Sequence, residues 1–497
     1  MTVCPSRTEL VAVGANDPYV RVYDRRMISC GPLDTSCDPC EDNTGAVAYF
    51  VPGHLPGAEV KFHRRLRPLA STYIAYNSAG TELLCNLGGE QVYLYDRWAL
   101  YSQAGAQFTK AVMENCDKIP SNNGYIKGKL SSCGLMRKYL LPMSSLGKNG
   151  QTGSGTNVRP LTGQVEKVKM AANVEFESEN YDAAVSLYNR ALVLHRAPHP
   201  VLCGNRAAAL MKRAWDGDIY AAARDCLQAL ALDPAHVKAH LRLAQCLLEL
   251  EWLAEASQCL DNFKIRHPEF IKSKAFIQLA RDLEVAKEKI KPGKGRTKMN
   301  SLPAASSPVL QQYCAADFLR SSSDDDGDEE DAEADDDMDT DDADEEEDPR
   351  GYGSYSPELS RQEARWRRGA RDYSTRYLGT CNTTTDIKEA NFLGSDGQYI
   401  MAGSDDGKFF IWNRRTSNIE QVLVGDENIV NCLQSHPHAP ILATSGIDPV
   451  VRIWQPLPEN GDTNQRQVRD LEAAATSNQR RMNADPFETI LMGMGYR

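Results

Sequence analysis

The feature that most constrains this chain is a recurrence at 34 residues: Ala222 is followed by Ala256, Cys226 by Leu260, Ala229 by Phe263 and Pro234 by Pro268. Small and bulky residues recurring at that length and at helical spacing demand a stack of helix pairs. Small residues let two helices approach, bulky ones fill the space beside them, and each unit hides its apolar face only against the next. The closing proline stops the second helix of a unit, since it cannot continue the backbone ladder. An earlier unit sets Ala172, Asn173, Phe176, Tyr181, Ala184, Tyr188 and Ala191 in equivalent places, Ala207 and Ile219 belong to the second, and Ala244 and Leu253 to the third. Three units are therefore expected within residues 164–290, the last shielded by a charged helix over 271–290. The second unit carries about three extra residues around Arg213-Ala214-Trp215-Asp216-Gly217, which are expected to widen the turn between its helices.

The pattern is that of tetratricopeptide repeats. A second recurrence surrounds it. Residues 8–26, 81–97, 396–415 and 438–455 each read as two alternating strands across a Gly/Asp turn, ending Tyr23-Asp24, Tyr95-Asp96, Trp412-Asn413 and Trp454-Gln455. These units resemble the WD-repeat blade of a β-propeller, in which Asp17, Asp406 and Asp448 would tie a tight turn to neighbouring backbone N–H groups. The expected fold class is α+β multidomain: a partial WD-repeat β-propeller with an inserted all-α tetratricopeptide solenoid and disordered linkers. Residues 1–101 would hold the first blades and 102–163 a Gly/Ser/Asn-rich linker. Residues 164–290 would hold the helical units, 291–372 an acidic linker, 373–458 further blades and 459–497 a tail with a short helix at 466–482. The chain reads as beginning inside a blade, so closure of the propeller is not assured and more N-terminal blades are expected in a fuller form.

Composition removes several function classes. Residues 324–348 carry 19 acidic and no basic side chains, which exceeds the whole net charge of −12, so the remainder is mildly basic. That acidic run cannot bury enough apolar surface to fold, and the basic patch Lys291, Lys294, Arg296 and Lys298 before it reads as a solvated tether. Without interleaved basic and aromatic residues, direct nucleic-acid binding is not expected. No apolar run is long enough to span a bilayer, and the start MTVCPSRTEL does not read as a secretory signal, so the chain is expected inside the cell, in cytoplasm and nucleus. The 14 cysteines form no framework, and Cys203, Cys226, Cys246 and Cys259 read as reduced, buried residues. The pair Cys37 and Cys40 lacks a second pair to complete a zinc site. With no phosphate loop, metal cluster or nucleophile motif, and with His54, His63, His240 and His436 lacking identifiable partners, neither an enzyme nor a cofactor is expected.

Three stacked helix pairs form a concave groove able to hold an extended peptide. Chaperone-binding tetratricopeptide domains grip a C-terminal carboxylate with two asparagines and three basic residues on the first helices of three units. Lys169, Asn173, Asn205, Lys238 and Arg242 occupy the matching positions here and resemble that clamp. Cationic side chains would supply charge-assisted hydrogen bonds to the carboxylate, and the amides would fix its orientation.

The order of blades, helical units and further blades resembles the adipose family of proteins with WD and tetratricopeptide repeats. The likeness is carried by CGNRAAALMKRAWDGD at 203–218, TELLCNLGGEQVYLYD at 81–96, CNTTTDIKEANF at 381–392, ATSGIDPVVRIW at 443–454 and NQRRMNADP at 478–486. That family has additional N-terminal blades, so a shortened form or fragment is expected. The resemblance implies a substrate receptor whose propeller docks on the damaged-DNA-binding adaptor of a type-four cullin-RING ubiquitin ligase and presents substrate proteins. Such receptors end a blade in Trp/Tyr-Asp-x-Arg. Tyr23, Asp24 and Arg26 fit this pattern, Arg415 fits after Trp412-Asn413-Arg414, and Tyr95-Asp96-Arg97-Trp98 lacks the final arginine. The family's links to fat-storage restraint, histone contact and transcriptional repression are implied in the same way. The competing expectation is a co-chaperone-like scaffold that takes chaperone C-terminal tails in the groove. Ser321, Ser322 and Ser323 each precede an acid by three residues and are candidate acceptors for an acid-directed kinase.

Overall fold

The chain is described by a computed structural model over residues 1–28, 46–55, 69–96, 160–290, 366, 370–385, 387–456 and 465–483. The alternating segments form antiparallel sheets. Sheet 1 contains β1 (Thr2–Val3), β2 (Leu10–Ala15), β3 (Asp17–Asp24) and β4 (Ala46–Phe50). Sheet 2 contains β5 (Ala70–Tyr76), β6 (Glu82–Gly88), β7 (Val92–Asp96) and β8 (Thr375–Tyr377). Sheet 3 contains β9 (Ala390–Leu393), β10 (Tyr399–Gly403), β11 (Lys408–Asn413) and β12 (Ile419–Val424). Sheet 4 contains β13 (Val430–Ser435), β14 (Leu442–Gly446) and β15 (Val451–Trp454).

The sheets stack as blades, so central strands are apolar on both faces. Phe410 joins Leu84, Val92 and Leu94 of sheet 2, whereas Phe409 on the opposite face joins Val430, Leu433 and Leu442 of sheet 4. Successive strand residues point to opposite faces, so two adjacent phenylalanines can both be buried only in a sheet covered on each side. The turn acids divide. Asp17 accepts from the Tyr19 N–H at 2.9 Å and Asp448 from the Glu427 N–H at 3.0 Å, as expected of turn-binding carboxylates. Asp406 instead pairs with the Lys408 ammonium at 2.6 Å. Its neighbour Asp405 takes the backbone N–H groups of Thr383 and Thr384, at 2.6 and 3.0 Å, and a buried ion pair with Lys388 at 2.8 Å. Both side chains are nearly buried in the turn, and they differ in partner, not in exposure.

Seven helices follow one another between sheets: α1 (Gly163–Glu177), α2 (Tyr181–His195), α3 (Pro200–Arg213), α4 (Asp218–Leu232), α5 (Val237–Glu249), α6 (Leu253–Arg266) and α7 (Lys274–Ile290). The recurring small residues Ala172, Ala184, Ala207, Ala222, Ala229, Ala244 and Ala256 are all buried where helices cross. Strand β8 lies after the helices in sequence yet completes sheet 2 beside β7, so the helical array interrupts a single blade.

The α3–α4 connection, 214–217, is only one residue longer than 178–180 and 250–252 in the other units, the rest of the extra length lying in α3 and α4, each one residue longer than α5 and α6, and that connection docks on sheet 2. Asp218, fully buried, accepts two hydrogen bonds from Arg213, each 2.9 Å, and also pairs with Arg376 of β8. The second Arg376 donor reaches the Asp216 carbonyl at 2.7 Å. Gly217 has φ +74°, and a Cβ there would lie 2.9 Å from Arg376 Nη1 and 3.1 Å from His54 Nε2. Only glycine fits so close an approach. Tyr220 donates to Asp372 at 2.7 Å, and Asn418 donates to the Ser186 carbonyl at 2.9 Å. One apolar core consequently runs from Phe50, Tyr93 and Tyr95 through Tyr373 and Tyr220 into the helices.

After β15 the chain returns to sheet 3. Val424 donates to the Arg466 carbonyl and Val468 to that of Val422, each at 2.9 Å, which lays residues 466–468 along the edge of β12. Helix α8 (Leu471–Asn483) then covers this sheet, with Ala474 and Ala475 in the Trp412 core and Asn478 donating to the Gly379 carbonyl at 2.9 Å.

Candidate peptide-binding groove

The first helices of the three units, α1, α3 and α5, carry the expected clamp residues. Lys169 and Asn173 are one turn apart on α1, Asn205 lies on α3, and Lys238 and Arg242 are one turn apart on α5. The structure brings the amides together: Asn205 Nδ2 donates to Asn173 Oδ1 at 3.3 Å, and the Tyr188 hydroxyl donates to the same oxygen at 2.7 Å. Arg242 Nη1 donates to the Gly204 carbonyl at 2.9 Å, which fixes α5 against α3 next to Asn205.

Charge in the groove is one-sided. Burial, followed by the neighbouring Arg242, holds the Lys238 ammonium below its ordinary value, and burial does the same to Arg242. Neither cation makes an ion pair with a carboxylate among the described residues. Lys169 differs, since it pairs with Glu166 one turn earlier at 2.5 Å. Two half-buried cations beside two amides, with a protein carbonyl as the one acceptor Arg242 touches, form a site short of negative charge.

The candidate docking residues lie elsewhere. Tyr23 is half-buried on β3, and Asp24 is buried at its end. The exposed Arg26 guanidinium forks onto Asp24 at 2.9 and 2.6 Å, and that contact holds the Asp24 carboxyl down to about 2. Arg415 is exposed in the turn after β11 and, with Asn418 and Trp215, lines a cleft of about 680 Å³ between sheet 3 and helices α2 to α4. Arg26 and Arg415 thus belong to sheets 1 and 3. Ser321, Ser322 and Ser323, the cysteines Cys37 and Cys40 and the basic patch at 291–298 lie outside the described residues. Among the described residues no group of three or more His, Cys, Asp or Glu could hold a metal ion, and no helix is long and apolar enough to cross a membrane. The buried thiols Cys203 and Cys226 are pushed up to about 12 by desolvation.

Two groups went unassigned in the sequence reading. Tyr188 fits the repeat as a bulky residue, and its hydroxyl carries no signal that it ends on the groove amides. Asp218 looks like an ordinary first-turn acid until Arg376, 158 positions away, is seen against it.

The WD domain, G-beta repeat family matches residues 380–413 and 417–455, which span sheets 3 and 4. The human WD and tetratricopeptide repeats protein 1 is 44% identical over 517 residues, covering 100% of this chain and 68% of that protein. The human DDB1- and CUL4-associated factor 6 is 49% identical over 90 residues, covering 18% of this chain and 10% of that protein. Among solved structures, the first tetratricopeptide domain of Spaghetti (RPAP3) bound to HSP90 peptide SRMEEVD is matched with a TM-score of 0.24 and 24% identity, over 27% of this chain and 99% of that one. With one relative 44% identical over 100% of this chain and 68% of that protein, and with blades and helical units in the arrangement described, this chain belongs to the family of WD and tetratricopeptide repeats protein 1.

Proposed function

We propose that this chain is a protein-binding adaptor of cytoplasm and nucleus that takes the acidic C-terminus of a partner in its helical groove. The observation that carries this reading is the pair Lys238 and Arg242, cations without a carboxylate partner among the described residues, beside the joined amides of Asn173 and Asn205. A terminal carboxylate supplies the missing charge and accepts from all of these donors at once. Calorimetry on the full chain tests it with one acidic heptapeptide prepared as the free acid and as the C-terminal amide. The free acid should bind about tenfold more tightly, since an ionic hydrogen bond contributes ~1.5 kcal/mol or more. Equal affinities would remove the reading.

A second role fits the propeller. As a substrate receptor the chain would dock on the damaged-DNA-binding adaptor of a type-four cullin-RING ligase and present its groove ligand for ubiquitination. The family membership, the partial likeness to a DDB1- and CUL4-associated factor and the exposed Arg26 at a blade end support this. Because surface ion pairs contribute little to stability, Arg26→Ala should leave the circular dichroism spectrum unchanged while reducing co-purification of the adaptor several-fold. Undiminished co-purification would clear Arg26 of the docking role.

A further inference from the structure

The groove rests on a buried phenol. Tyr188 belongs to α2, the second helix of its unit, and is 2% exposed, so it cannot itself meet a ligand lying along α1, α3 and α5. Its hydroxyl nonetheless ends on a groove amide. It donates to Asn173 Oδ1 at 2.7 Å. Asn205 Nδ2 donates to Asn173 Oδ1 as well, at 3.3 Å, so two donors converge on one oxygen.

An asparagine side chain is planar, with its oxygen and nitrogen on opposite sides of one carbon, so occupying the oxygen fixes where the nitrogen points. Asn173 Oδ1 has two lone pairs, and Tyr188 and Asn205 take both. The Asn173 NH₂ is thereby left to the opposite side, away from the phenol. Without the hydroxyl, only the longer bond from Asn205, at 3.3 Å, would hold the Asn173 oxygen in place, and a carbonyl oxygen turned to the groove would repel a carboxylate. Burial pushes the Tyr188 hydroxyl up to about 12, so it remains a donor throughout the neutral range.

We propose that Tyr188 is a positioning residue that sets the polarity of the groove floor, holding the Asn173 amide so that its NH₂, and not its oxygen, is left for a ligand. The selectivity that follows is for an ionised terminal carboxylate over its amide, a difference of ligand polarity and not of size. This inference rests on the peptide-groove reading above and deepens it.

The test uses the full chain and the same acidic heptapeptide in free-acid and amidated forms. Tyr188→Phe keeps the ring and removes only the hydroxyl, so the free-acid affinity should fall about fivefold, the effect of one lost hydrogen bond. The amide affinity should change little, so the preference ratio shrinks with it. Asn173→Asp provides the second arm: Tyr188 still donates to one carboxylate oxygen, the other faces the groove as an acceptor, and the preference should turn toward the amidated peptide. A wild-type protein that binds both forms equally overturns the groove reading itself. A wild-type protein that prefers the free acid, with the same preference in Tyr188→Phe or in Asn173→Asp, overturns only the role given to Tyr188.

Discussion

At the residue scale, the chain places ionisable groups where water is absent and neighbours decide their state. His240 on α5 is 5% exposed, between the Phe263 ring and His267. Desolvation first, then the nearby His267 and Arg266, hold its imidazole down to about 4 from an ordinary value of 6.5. Between those values the unfolded chain binds a proton that the folded one refuses, so stability is complete above about 6.5 and is lost as pH falls toward 4. At pH 5 the loss is ~2 kcal/mol for this group. His240→Gln, which stays neutral, should flatten the fall in denaturation free energy between pH 7 and pH 5; an unaltered fall would assign the pH dependence to other groups. The clamp residues belong to this scale too. Their types and spacing were legible because Lys169 with Asn173, and Lys238 with Arg242, repeat one helical turn. Tyr188 was not legible as a partner, since nothing local tells a buried phenol which amide it will meet.

At the element scale, legibility followed the range of the signal. Helices α1 to α6 and the hairpins β2–β3, β6–β7, β10–β11 and β14–β15 announce themselves, because a side-chain period of 3.6 or 2 is written within a few residues. The repeat spacing of 34 then assigns the helices to pairs before any contact is seen. Strands β8 and β9, three and four residues long, carry too few alternations to be read. They exist because a hydrogen-bonded neighbour accepts them, as β7 accepts β8 through Val92↔Tyr377 and Leu94↔Thr375. The same holds for residues 466–468, which lie along β12 although 466–482 reads as one helix; the helix begins only at Leu471. Asp405 and Asp406 show the limit within a single turn, where of two adjacent acids one binds the Thr383–Thr384 backbone and Lys388 and the other pairs with Lys408.

At the scale of the whole molecule, the decisive contact is Arg213–Asp218–Arg376, buried where the helical array meets sheet 2. It joins Asp218 to a residue 158 positions later in the chain, and with Tyr220 on Asp372 it makes helices and blades share one core. Arg376→Ala strips Asp218 of one of its two cations and should cost about 3 kcal/mol, because a buried charge then loses part of its compensation. Scanning calorimetry should show the single unfolding event of a shared core moving to lower temperature or dividing in two; a transition unchanged in midpoint and shape would mean that the two halves are not coupled there. The sequence by itself determined that this chain builds helix pairs and blade hairpins and that its groove carries amides and cations, because those depend on residue type and short spacing. Only the tertiary structure decided that the helices interrupt one blade, that a short connection with Gly217 docks them to it, and that Tyr188 orients the groove. Each of these needs groups far apart in the chain to meet in a buried place, where an unpaired charge or an unmade hydrogen bond is too costly to leave.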